Sequence, residues 1–194
     1  MFSSWDIAVN TNGMPQKVAT AFAKLNEMVG AEYEPIAYLG SQVVNGTNHA
    51  VLAEQILITG RDTKNIVLII FNEKPGEMEL TLVAIERVMN GGTPLGGTIV
   101  DYQTEIPAEA KEAWAEAFEG FVGANVVPFV YLGTQVTKGV NYIFAATVTS
   151  VTETPKTGVA IVIVNAYERD VKFVNLLTDH QMATLGYAFT WLKD

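Results

Sequence analysis

One segment of this chain is written twice, and that constrains its fold more than any other feature. Residues 38–48 read Tyr-Leu-Gly-Ser-Gln-Val-Val-Asn-Gly-Thr-Asn. At an offset of 93 residues they align with 131–141, Tyr-Leu-Gly-Thr-Gln-Val-Thr-Lys-Gly-Val-Asn, and seven of the eleven pairs are identical. The same offset pairs Gly30 with Gly123 and Pro35 with Pro128. So long a period in only two copies favours a pair of domains over a solenoid. The boundaries expected are 1–90 for the first repeat and 91–180 for the second, with a further strand at 181–194.

Each repeat carries the same order of local signals. Residues 5–9 and 97–102 read as short strands, and Pro15 and Pro107 stand where a helix would begin. Val18, Phe22, Leu25 and Val29 fall on one helical face, as do Trp114, Ala117, Phe118, Phe121 and Val122 in the second copy. Glu109, Glu112, Glu116 and Glu119 occupy the other side of that second helix and read as a solvated face. Gly30 and Gly123 are expected to stop the helices. Beyond them the pattern turns to strands, with Asn45-Gly46 and Lys138-Gly139 as hairpin turns. Two more strands follow in each copy, at 66–71 and 79–88 and at 159–164 and 171–177. The fold class expected is α+β, with one helix across an antiparallel sheet in each unit (β-α-β-β-β-β) and an extra C-terminal strand.

The third strand of each sheet does not alternate. Residues 66–71 and 159–164 are apolar throughout, whereas a sheet covered on one face should alternate apolar and polar positions. Something besides the helix must cover the second face: the other repeat, a second subunit, or the tail after Gln181. That tail, residues 185–192, resembles the start of the second repeat and is expected to be an edge strand. The 49 % hydrophobic content fits sheets covered on both faces better than single exposed layers.

Composition also narrows the chemistry. A net charge of −9 argues against a nucleic-acid partner, because phosphate contacts need clustered Lys and Arg. The absence of cysteine removes thiol catalysis, disulfides and Cys-based metal sites. No basic and apolar leader is visible at the amino terminus and no apolar run is long enough for a membrane span, so a cytoplasmic location is expected. The two histidines, His49 and His180, lack an accompanying nucleophile pattern, and His49 reads as a solvated residue beside a hairpin. Glu73, Glu77 and Glu79 read as an exposed loop, not a calcium site. No catalytic residue, metal ligand or cofactor is expected, and the chain is not read as an enzyme.

The hairpin segments say more. Gln42-Val43-Val44-Asn45-Gly46 fits the pattern Gln-x-Val-x-Gly, and Thr47-Asn48 extends it. Residues 71–82 add a Pro75-Gly76 turn. In these segments the first repeat resembles a stefin-type cystatin from about residue 15 to 88, and the whole chain resembles a tandem cystatin. The resemblance implies reversible inhibition of a papain-like cysteine protease by a wedge of hairpin loops. Carried onto this sequence, the protease-binding residues are Gln42, Val43, Val44, Asn45 and Gly46 in the first loop and Pro75 and Gly76 in the second. Gln135, Val136 and Gly139 are the corresponding secondary candidates. The second repeat departs from the pattern, with Thr137 in place of a valine and no Pro-Gly between residues 165 and 170.

Two further readings compete. A non-inhibitory interaction or assembly module would use the two-sided apolar strands and the carboxy-terminal strand, and predicts a homo-oligomer that loss of residues 185–194 disrupts. A small-molecule pocket between helix and sheet rests on fold analogy alone.

Overall fold

A computed structural model describes residues 5–58, 63–92 and 98–177. They fall into two compact units, 5–90 and 91–177. The tail expected as an extra strand at 181–194, His180 and residues 1–4 lie outside the described residues.

In the first unit the elements run β1 (Asp6–Asn10), α1 (Gln16–Leu25), β2 (Ala31–Val44), β3 (Gly46–Leu57), β4 (Thr63–Glu73) and β5 (Thr81–Asn90). All pairings are antiparallel between sequence neighbours, giving the sheet order β1-β2-β3-β4-β5. The second unit runs β6 (Thr98–Gln103), α2 (Ala108–Ala117), β7 (Ala124–Thr137), β8 (Gly139–Ser150), β9 (Thr157–Asn165) and β10 (Val171–Asn175), with the order β10-β9-β8-β7-β6.

This corrects the expected α+β class. Among the described residues the protein is mostly antiparallel β, ten strands in two five-stranded sheets, and helix is confined to two ten-residue segments. The apolar periodicity overstates both helices. α1 ends at Leu25, and Val29, expected on its buried face, is fully exposed. α2 ends at Ala117, leaving Val122 87 % exposed and Phe121 partly so. Gly30 and Gly123 have φ of 111° and 108°, but each stands beside the first residue of the following strand and not at the last turn of a helix. Glycine is suited to that reversal because a Cβ disfavours positive φ.

Within the first unit, Val18, Phe22 and Leu25 of α1 share a core with Tyr33, Tyr38, Val51, Ala53, Val67, Ile69 and Phe71. Those sheet positions alternate along β3 and β4, so one face of the sheet supplies them. Ala50, Leu52, Ile66, Leu68 and Ile70 belong to the opposite face and are equally buried, as the unbroken apolar run anticipates. In the second unit α2 contributes less. Only Ala110 is fully buried, while Trp114 packs edge-on to Phe144 at 4.8 Å and stacks on Phe118 at 4.4 Å.

The duplicated Tyr-Leu-Gly has a structural reason in both copies. Tyr38 and Tyr131 join the core clusters that include the helices, whereas Leu39 and Leu132 are buried outside them. Gly40 and Gly133 follow with φ of 149° and 145°, beside a register shift in each strand pair. At Gly40 a Cβ would lie 2.1 Å from the Asp6 carbonyl oxygen, so the crossing of β1 over β2 admits no side chain. Pro35 and Pro128 flank a second shift on each long strand. β1 pairs with β2 only from Tyr38 to Ser41, so Pro35 lies where no neighbour on that side needs its missing N–H.

Candidate functional site

β2 and β3 stay paired down to Val44 opposite Gly46, which leaves Asn45 alone at the tip. Only Gly46 there has a positive φ, 99°, and a Cβ on it would lie 2.4 Å from the Glu73 carbonyl oxygen. β8 opens the same way at Gly139, φ 92°, where a Cβ would meet that of Tyr167 at 2.6 Å. The left-handed requirement thus sits on the glycine, and Lys138 is accommodated where the first repeat has Asn45.

Around the first tip the structure collects most of the expected binding residues. Val43, Val44, Gly46, Pro75 and Gly76 line one open groove of about 410 Å³ with Lys17, Thr47, Glu73 and Lys74. Val43 is 65 % exposed, and Pro75 and Gly76 are exposed beside it. Gln42 and Asn45 are not part of that lining. Gln42 lies back in the sheet opposite Asn48, and Asn45 is exposed at the apex. Met78, further along the second loop, is 89 % exposed.

Charge organises this edge. Glu73 closes β4 just before the second loop, and its carboxylate pairs with Lys17 of α1 and, at 3.2 Å, with Nε2 of His49. The Nδ1 of His49 lies 3.0 Å from the Tyr38 hydroxyl. A carboxylate can only accept, so Nε2 donates to Glu73. The Lys17 ammonium and then His49 hold the Glu73 carboxyl below its ordinary 4.5. Burial raises the Tyr38 hydroxyl above its ordinary 10.0, opposed by a hydrogen bond with Ser41 and aided by Asp6. His49, expected in solvent, is only 8 % exposed and lies inside β3. Two turns along α1 from Lys17, Lys24 pairs with Glu79, so the second loop is tied to the helix at both ends. Glu77 lies 4.0 Å from Lys74, so each of the three loop glutamates has a cationic neighbour.

The second unit has the same frame and inverted charges. Glu109 and Glu116 occupy the helix positions that match Lys17 and Lys24, one turn-position short of the sheet offset. Glu116 pairs with Arg169 at 3.4 Å, and Glu109 accepts from the Tyr142 hydroxyl at 3.4 Å. The acidic face of α2 is exposed at Glu109, Glu112, Glu116 and Glu119, as expected of a solvated face, and Glu116 also reaches the second loop through Arg169. At the tip Val136 is 56 % exposed, Lys138 pairs with Glu168 at 3.2 Å and lies over the exposed Tyr167 ring, and Gln135 is half-buried.

A polar ladder crosses both sheets beneath the tips. In the first, Gln42 is opposite Asn48 and Asn48 opposite Asn72, with Asn72 Nδ2 donating to Asn48 Oδ1 at 2.8 Å. In the second, Asn165 Nδ2 donates to Asn141 Oδ1 at 2.9 Å and Asn141 Nδ2 to Gln135 Oε1 at 3.1 Å. The Asn165 Oδ1 also accepts the backbone N–H groups of Tyr167 and Glu168, which shapes the loop that follows. All three amides repeat at the offset of 93, a signal present in the sequence that the hairpin motif overshadowed. Gln42 and Gln135 therefore occupy scaffold positions beneath the edge.

Among the described residues no group of His, Asp and Glu is arranged to hold a metal ion, and no helix is long and apolar enough to cross a membrane. Compared with known proteins, the chain matches no family model, no curated protein and no solved structure.

Proposed function

We propose that the first unit binds a clefted protein partner through its two-loop edge, and that the partner class is a papain-like cysteine protease, inhibited reversibly and without covalent chemistry. The observation that carries this reading is the exposure of Val43 at a hairpin tip beside Pro75-Gly76 on one groove. A valine held out on a paired hairpin offers apolar area with few rotamers to lose on binding. Pro75 and the two ion pairs to α1 stiffen the neighbouring loop in the same way. The choice of protease comes from the resemblance of residues 42–48 and 71–82 to the cystatin loops.

Titration of papain with the purified chain tests it. The expected result is reversible inhibition that Val43→Asp weakens about tenfold or more, since a charge must then be desolvated in the cleft. Absence of inhibition at micromolar concentration refutes it. Gly46 is unsuitable as a probe, because a side chain there disturbs the loop against Glu73.

Assembly is a second reading, supported by an aromatic cluster on the second unit. Phe118, Phe121 and Phe173 contact one another with ring centroids 5.1–6.1 Å apart. Phe121 and Phe173 are each about two-fifths exposed, and β10, which carries Phe173, is a sheet edge among the described strands. It predicts a dimer or larger species by light scattering that Phe173→Lys dissociates; a monomer at all concentrations refutes it.

A further inference from the structure

We propose that Glu73 and His49 form the positioning element that sets the two loops of the edge against each other. The functional part of this inference rests on the two-loop reading above, while the coupling itself stands on the geometry of the first unit.

Glu73 touches the first loop, α1 and β3, and leads into the second loop. Its carbonyl oxygen occupies the space a Gly46 side chain would need, so the backbone of the first loop lies directly against it. Its side chain holds Lys17 from α1 and His49 from β3, and the chain continues from it into the second loop. His49 lies three residues beyond Gly46 on β3 and is bonded to Tyr38 on β2. A change in the attraction between Glu73 and His49 therefore reaches both loops through one residue.

The contacts converge on one carboxylate. Nε2 of His49 donates to it, and Nδ1 of the same ring meets the Tyr38 hydroxyl. The groups facing the imidazole and its partners are Tyr38 from β2, Asp6 from β1 near Tyr38, Glu73 from β4 and Lys17 from α1. Lys17 and then His49 hold the Glu73 carboxyl below its ordinary 4.5, so above that range it stays a carboxylate and keeps both partners.

The second unit provides an internal control. At the offset of 93 it has Tyr142 for His49 and Ala166 for Glu73, so its edge lacks this contact.

The test is amide hydrogen exchange of residues 43–47 and 74–79 at one fixed pH. Expected is exchange about tenfold faster in both loops of Glu73→Gln, a smaller rise in both loops of His49→Gln, and no further rise when the two changes are combined. The loops of the second unit, 136–140 and 166–170, are expected to be unchanged. Papain affinity is expected to fall in both variants. Loops that respond singly, or effects of the two changes that simply add, overturn the coupling. Coupled loops in a chain that never binds papain support the coupling and overturn only the proposed target.

Discussion

Replacing Gly46 by alanine tests the central contact of the edge, and Gly76→Ala is its matched control. Both glycines have positive φ, 99° and 82°. A Cβ in left-handed backbone costs about 1–2 kcal/mol at either site. The gain from restricting the unfolded chain is also common to both. What differs is space. At Gly76 nothing lies within 4 Å of the added carbon, whereas at Gly46 the Glu73 carbonyl oxygen lies at 2.4 Å. Two packed backbones must then separate, which costs about 1–3 kcal/mol by analogy with overpacked cores. Gly46→Ala is thus expected to destabilise the first unit by about 2–5 kcal/mol and Gly76→Ala by about 1–2 kcal/mol. The chain has two units, so a global melt would mix their transitions. Native-state hydrogen exchange of β3 and β4 amides against urea isolates the first unit. Equal losses for the two variants, within about 0.5 kcal/mol, would show that the first loop does not rest on Glu73. The positioning role argued for that residue would then fail with it.

Two further outcomes follow from the second unit. Asn141→Ala should cost about 1–3 kcal/mol, because it strips Asn165 Nδ2 and Gln135 Oε1 of a partner in a half-buried row, and urea unfolding of that unit measures the loss. Tyr131 is pushed up to about 12, first by burial and then by Asp101. The unfolded phenol ionises near its ordinary 10.0, so this contribution to stability is complete below that value and is lost as the pH rises towards 12. Tyr131→Phe should remove this part of the alkaline loss, seen as a smaller drop in stability above pH 10 in ultraviolet-monitored unfolding.

Local signals in the sequence carried the duplication and both hairpins, since Gly46 and Gly139 impose their turns through the adjacent backbone. Apolar spacing overstates helix length because it continues past Leu25 and Ala117, where the backbone leaves the helix. Val29 and Val122 match the period but fall in the turns before β2 and β7. The strand regions therefore dominate, and the α+β expectation gave too much weight to the helices. Long-range relations were less visible. Lys17 meets Glu73 across 56 positions, and His49 meets it across 24, only once the sheet register brings them together. The sequence marks the hairpin beside His49 but not the depth of its strand, so a buried histidine reads there as a solvated one. The paired amides at 42, 48 and 72 were within reach, since each recurs 93 residues later in an otherwise apolar setting.

The opposite signs on the two helices bear on how a duplicated chain avoids confusing its own halves. The repeats share strand register, bulge positions and hairpin glycines, so each helix could in principle nucleate on the wrong sheet during folding. Such an exchange would bring Lys24 to the place of Glu116, against Arg169, and would set Glu109 and Glu116 against Glu73 and Glu79. Every correct contact between opposite charges becomes a repulsion between like ones. Misassembly is a characteristic hazard of repeated domains. Here the ion pairs of Lys17 and Lys24 on one helix and of Glu116 on the other oppose such an exchange.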